Sequence, residues 1–148
     1  MEIRVLADNN TYIDQYFLGE PAVSYYIEAD GCRILFDTGY SAAFISNASK
    51  MGVELEAITH LVFSHGHNDH TRGFCWLAEK NDLRNVEIIA HPGCFDEKTD
   101  ETGLDIGSPL TEDEVRRTGK YRPSASPYFI TGNCVFLGEI PQKNDFET

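Results

Sequence analysis

Basic residues are scarce in this chain: 12 Lys and Arg stand against 24 Asp and Glu, a formal net charge of -12. A surface of that sign repels polyanions and excludes nucleic-acid binding as its main task. Long apolar runs are missing too. Nothing approaches the roughly 20 residues of a membrane helix, and no charged-then-apolar leader opens the sequence, so the chain reads as soluble and cytoplasmic with no membrane partner. There are only four cysteines, Cys32, Cys75, Cys94 and Cys134, and no Cys-x-x-Cys pair. That spacing excludes a dithiol redox motif and a zinc ribbon; it leaves reduced structural thiols, or a disulfide in an oxidising compartment. Internal repeats and low-complexity tracts are absent. The 148 residues fit a single domain that buries about two thirds of its unfolded surface.

What the chain does have is histidine in one place. Three of its five histidines fall in Ser64-His65-Gly66-His67-Asn68-Asp69-His70-Thr71, with an aspartate among them. Imidazole nitrogens and a carboxylate oxygen suit zinc (Zn) and other borderline first-row ions, iron and manganese included. His65 and His67, two apart in an extended turn, can face one side and share an ion. Gly66 lets the backbone bend between them. Asp69 and His70 follow the bend and are better placed for a second ion. The alternative is a surface run of histidines without a ligand. The helical His-Glu-x-x-His arrangement is excluded, because the spacings here are two and three rather than four.

The flanking pattern predicts an α/β chain with an antiparallel opening. Strands are expected at Ile3–Leu6, Val23–Ile27 and Arg33–Phe36, with Asp30-Gly31 as the hairpin turn and an unusual backbone angle at Asp37-Thr38-Gly39. A helix runs from Ser41, its expected N-cap, to Gly52. Residues 58–63 read as a buried strand that delivers the histidines at its carboxyl end, where ligand sites favour loops. Asp69 or Thr71 caps a helix to Lys80, and a strand at 85–90 stops at His91-Pro92-Gly93. Residues 95–127, rich in Gly and Pro, read as a surface excursion with one helix at Thr111–Arg117, and the last strand is expected at Asn133–Leu137. The acidic stretches at 97–101 and 112–114 read as solvated surface.

His65-x-His67-x-Asp69-His70, preceded by Leu35-Phe36-Asp37-Thr38-Gly39, resembles the signature of the metallo-β-lactamase superfamily of metal-dependent hydrolases. Thr71-x-Gly73, Ala90-His91-Pro92 and Leu137-Gly138-Glu139-Ile140-Pro141 with Phe146-Glu147 are similar to the branch of dihydropterin-type aminobenzene-phosphate synthases. The resemblance implies an αββα sandwich, of which this chain would supply the amino-terminal αβ half: a mixed sheet with flanking helices. It implies His65 and His67 on a first metal and Asp69 and His70 on a second. Asp69 would also orient a metal-bound hydroxide that attacks an ester, phosphodiester, amide or thioester of a small-molecule substrate. Asp37 would brace the metal loop without binding metal; the other reading is a carboxylate that only stabilises its own turn.

The pattern breaks after His91, the last histidine, where the family's later half would supply further ligands. A half-sheet exposes an apolar face, so a homodimer or a partner chain is expected, and metal affinity is expected to be reduced. The rival reading is a non-catalytic half-domain or subunit. His91, at a strand end, either contacts the pocket as ligand or substrate group or serves a turn. His60 is expected to be structural, and Cys75 buried on its helix. Arg72 either binds an anionic substrate group or is solvated, and Tyr12, Tyr16 and Phe17 either line a cleft or cover the core.

Overall fold

Alternating burial along the strands, rather than any single contact, sets the architecture of the computed structural model, which describes residues 1–141. Six strands form one sheet in chain order: β1 (Glu2–Ala7), β2 (Ser24–Ala29), β3 (Cys32–Phe36), β4 (His60–Val62), β5 (Glu87–Ala90) and β6 (Lys120–Pro123). The first three pair antiparallel, with Tyr25 opposite Phe36 and Ala29 opposite Cys32; β3 to β6 run parallel. This is the mixed sheet expected for half of the αββα sandwich.

In the parallel strands neighbouring residues point to opposite faces, and both are apolar: Ile34 and Leu35, Leu61 and Val62, Ile88 and Ile89. Leu35, Leu61 and Ile88 face the helices α1 (Ala43–Lys50), α3 (Phe74–Lys80) and α4 (Glu112–Thr118), which contribute Phe44, Ala48, Phe74, Leu77 and Val115. Ile34, Val62 and Ile89 face the other way. There a small hairpin, β7 (Tyr128–Phe129) with β8 (Val135–Phe136), places Phe136 against them.

That hairpin modifies the expectation of a bare second face. It covers the sheet centre and leaves an apolar cavity of about 490 Å3 lined by Ile27, Phe36, Val62, Ile130 and Leu137. A clamp holds it down: the Asp30 carboxylate, in the β2–β3 turn, accepts bonds from Thr131 Oγ1 (2.7 Å) and from Asn133 Nδ2 (2.9 Å) and its backbone N–H (3.1 Å). Those bonds hold the Asp30 carboxyl below its ordinary value.

Several boundaries differ from expectation. The region 95–127 is not all excursion, because Lys120–Pro123 is the edge strand of the sheet. Its side chains are largely exposed, so no apolar alternation marks it, and Pro123 is tolerated at an edge. The last strand is shorter than Asn133–Leu137 and pairs only with β7. Ser41 stands one residue ahead of the N-cap, Ala42, although its Oγ still accepts from Ala43 N–H at 3.1 Å. Thr111 forms a capping box with Glu114 that starts α4. Phe146 and Glu147 lie outside the described residues.

Candidate functional site

Parallel pairing brings the carboxyl ends of β3, β4 and β5 to one edge of the sheet, and with them Asp37, the loop from Ser64 and His91. The chain leaves β3 through Asp37 at φ 57° and turns again at Gly39, φ 70°, the unusual angles expected of Asp-Thr-Gly. Aspartate tolerates that left-handed conformation better than most residues. It also drives the carboxylate inward. Asp37 is 0% exposed, and its oxygens accept from Ser64 N–H (2.8 Å), Ser64 Oγ–H (2.7 Å) and His70 Nδ1 (2.8 Å).

Those three bonds decide tautomers. Ser64 donates its one hydroxyl proton to the carboxylate, so its contact with His65 Nδ1 at 2.9 Å has the imidazole as donor. His70 likewise carries its proton on Nδ1, toward Asp37. The Nε2 lone pairs of both rings are therefore turned into the loop. His65 Nε2 lies 3.1 Å from His67 Nδ1, and His70 Nε2 lies 3.5 Å from Asp69 Oδ2. Two donors on one tetrahedral ion at ~2.05 Å stand about 3.3 Å apart. Both pairs have that spacing.

Ring centroids of His65 lie 4.6 Å from His67 and 4.1 Å from His70, so the whole group is compact. Among the described residues, however, no three His, Cys, Asp or Glu donors converge on one ion position. The donor chemistry fits cations held two ligands at a time, each shell to be completed by other groups. Burial, with the neighbouring His70 and His67, lowers the pKa of His65 and so favours its neutral form. His70 moves the other way: burial pulls it down, but the hydrogen bond to Asp37 and the charges of Asp37 and Asp69 outweigh that and raise it.

Asp69 and His70 sit in a helical turn, α2 (Asn68–Thr71), whose N-cap is His67. Neither Asp69 nor Thr71 caps a helix through its side chain, contrary to expectation; Thr71 Oγ1 instead donates to His67 O at 2.9 Å and tightens the loop. Two glycines fit it into place. A Cβ at Gly66 would stand 1.7 Å from Cys94 O, and one at Gly73 would stand 1.8 Å from Thr38 O. Gly66 is therefore required by the close approach of two segments of the chain as well as by the bend.

His91 accepts a bond from Gly93 N–H at 3.1 Å through Nδ1 and caps a 3-10 turn at Pro92–Phe95. No hydrogen bond among the described residues joins it to the cluster. His60 bonds Thr59 Oγ1 at the far end of β4, in keeping with a structural role. Cys75 is exposed, with Sγ 3.2 Å from Arg72 O, and not buried as expected: it lies on the outer side of α3, whose inner side is Phe74 and Leu77. Cys94 is the buried thiol, pushed up to about 12 by desolvation. Tyr12 and Tyr16 are more than 80% exposed, while Tyr12 and Phe17 border a cavity beside Asn47.

Three contributors carried no signal in the sequence. Ser64 links Asp37 to His65. Lys98, read as solvated, donates to the carbonyls of Gly93 (3.0 Å), Cys94 (3.2 Å) and Asp96 (3.0 Å) directly behind Gly66. The strand-like contact of His67 with Gly107, and the bond from Asn68 N–H to Ile106 O at 3.0 Å, press a distant loop on the cluster. All three depend on contacts between segments far apart in the chain.

The sequence model of the Metallo-beta-lactamase superfamily matches residues 18–101. An uncharacterized protein of Methanocaldococcus jannaschii is 30% identical over 146 residues, 98% of this chain and 56% of its own. The 7,8-dihydropterin-6-methyl-4-(beta-D-ribofuranosyl)-aminobenzene-5'-phosphate synthase of the same organism is 26% identical over 159 residues, 99% of this chain and 54% of its own. Among solved structures, Tm1679, described as a metal-dependent hydrolase of the beta-lactamase superfamily, superposes with TM-score 0.72 and 25% identity, covering 92% of this chain and 47% of that one. The Rm3 metallo-beta-lactamase, at 17% identity and TM-score 0.53, covers 77% of this chain and 43% of its own and shares the fold. The chain thus spans about half the length of the relatives it matches.

Proposed function

The chain belongs to the metallo-beta-lactamase superfamily, and on that premise we propose that it serves metal-dependent hydrolysis of an ester, phosphodiester, amide or thioester. The observation that carries this reading is the hydrogen-bonded chain from buried Asp37 through Ser64 and His70, which turns the Nε2 lone pairs of His65 and His70 into the loop. A cluster of acceptors so arranged is stabilised by cations. His65 and His67 would hold one ion, Asp69 and His70 another, with zinc the first choice and iron or manganese compatible with the mixed donor set. When bound, such ions supply Lewis-acid activation of water and of the substrate's oxygen.

The chain's own residues do the positioning. Asp37 fixes the tautomer and ring orientation of His70 and, through Ser64, of His65. Asp69, whose side chain is 38% exposed, can accept a hydrogen bond from the attacking water and orient it. Gly66, Gly73 and Lys98 hold the loop against its neighbours so that these distances are kept.

A second reading has its own support: among the described residues no three His, Cys, Asp or Glu donors converge on one ion position. In this reading the chain is a subunit that folds and associates and does not turn over substrate by itself. Both readings call for a homodimer or a partner chain across the apolar margin of the second sheet face, where Ile3, Val5 and Phe129 are exposed.

Elemental analysis of the wild type and of His65→Ala with His67→Ala tests the metal. Wild-type protein should retain zinc that the variant loses, and equal, near-zero metal in both would sink the proposal. Turnover of esters, phosphodiesters and thioesters that a chelator abolishes then separates enzyme from subunit.

A further inference from the structure

Arg72 is the single Lys or Arg between Ser64 and Gly73, and among the described residues it is the one arginine that lies over a tyrosine ring without also holding a carboxylate. Arg4, Arg84, Arg116 and Arg122 each hold a carboxylate. Among the described residues Arg72 holds none. Its guanidinium carbon lies 4.6 Å from the centroid of the Tyr40 ring; Arg116 and Arg122 lie over tyrosine rings too, but each is held by a carboxylate as well. The ring face attracts the cation without using its N–H groups, which stay available to an anion.

The platform is rigid. Tyr40 N–H and Ser41 N–H donate to Glu20 Oε1 at 2.9 and 3.2 Å, and Ser41 Oγ donates to Oε2 at 2.5 Å. On the other side, Gly73 N–H donates to Gly39 O at 3.0 Å, and no Cβ fits at Gly73. Tyr40 and Arg72, each next to one of those glycines, are thereby held in register. Arg72 follows Asp69 by three residues and keeps helical angles, φ -64° and ψ -33°, so it shares the Asp69 face of the turn. It does not pair with Asp69, and its charge is therefore not neutralised there. Lys98, which packs behind Gly66, is occupied by three carbonyls.

We propose that the Arg72–Tyr40 stack is an oxyanion subsite, which binds a phosphate or carboxylate group of the substrate beside the Asp69 end of the cluster. A planar fork with parallel N–H groups matches two oxygens of such an anion. The proposal rests on the hydrolase reading for its purpose, but not for its test. In an acidic chain, a cation on the Asp69 face of the turn would select anionic substrates over neutral ones of the same reacting bond.

The experiment titrates inorganic phosphate into the 148-residue chain with and without added zinc, following arginine Nε–Hε signals by NMR and affinity by calorimetry. The Arg72 signal should shift saturably in both states. Arg72→Gln should weaken binding about tenfold, and Arg72→Lys should fail to restore it, because the bidentate contact is lost. Tyr40→Ala should weaken it by a smaller factor. Arg117→Gln, on exposed α4, is the control. Unchanged affinity in Arg72→Gln, shifts confined to the histidine loop, equal response of Arg72 and Arg117, or no binding at all would each overturn the subsite. Loss of the hydrolase reading looks different: no metal-dependent turnover, with Arg72-dependent phosphate binding intact.

Discussion

Replacing Asp37 by Asn isolates what the buried carboxylate does for the cluster. Asparagine is nearly isosteric and accepts the φ of 57°, so backbone strain is unchanged. The amide oxygen can still accept from Ser64 N–H. Its NH2 group, however, must now face Ser64 Oγ and His70 Nδ1, where the carboxylate accepted at 2.7 and 2.8 Å. Two bonds to a buried charge, each ~1.5–3 kcal/mol, are lost, and the amide regains part as donor, so a destabilisation of about 3 kcal/mol is expected. His70 must also change tautomer: Nδ1 accepts from the amide and the proton moves to Nε2, the atom facing Asp69. Zinc affinity should therefore fall by roughly 10- to 100-fold. Urea unfolding of the metal-free chain measures the first effect, and zinc competition against a chromophoric chelator measures the second. Zinc affinity within twofold of wild type would refute the tautomer argument, whatever the stability change.

Two further outcomes follow from the packing and the charges. Gly66→Ala should disrupt the loop, because its Cβ would meet the backbone at Cys94 O at 1.7 Å; a loss of several kcal/mol or failure to fold is expected, and unaltered urea stability would show the approach to be looser than it is here. Glu87, on β5, accepts from Arg122 Nε and from Tyr128 Oη at 2.8 Å. Burial raises its pKa, but those bonds and the Arg122 charge outweigh it and set it below its ordinary 4.5. A carboxyl lowered by folding contributes stability that is present above pH 4.5 and is lost as pH falls through the folded value. Glu87→Gln should accordingly flatten the acid side of the stability curve, and an unchanged curve in urea midpoints between neutral and acid pH would refute the role.

The ligand candidates were legible because metal chemistry needs particular side chains at short spacing, and His65, His67, Asp69 and His70 lie within one turn of chain. Strands β1 to β5 and helix α1 were legible for a similar reason: period and turn chemistry are local. Asp37-Thr38-Gly39 announced its unusual angles through residue types that tolerate them. Edge strand β6 escaped notice because Lys120-Tyr121-Arg122-Pro123 buries little and pairs on one side only. Cys75 and Cys94 were indistinguishable until the inner side of α3 and the 3-10 turn behind Gly66 were in place.

By itself, then, the sequence determined the superfamily, the candidate donor residues and the order of the main strands, since each is written in residues close together in the chain. Tertiary structure decided which imidazole nitrogen faces the loop, because Asp37 and His70 meet only when β3 and β4 pair in parallel. It also decided what stands behind Gly66, what covers Ile34, Val62 and Ile89, and that Arg72 rests on Tyr40. Each of these depends on the distance between atoms whose residues are tens of positions apart, and no local pattern encodes that distance.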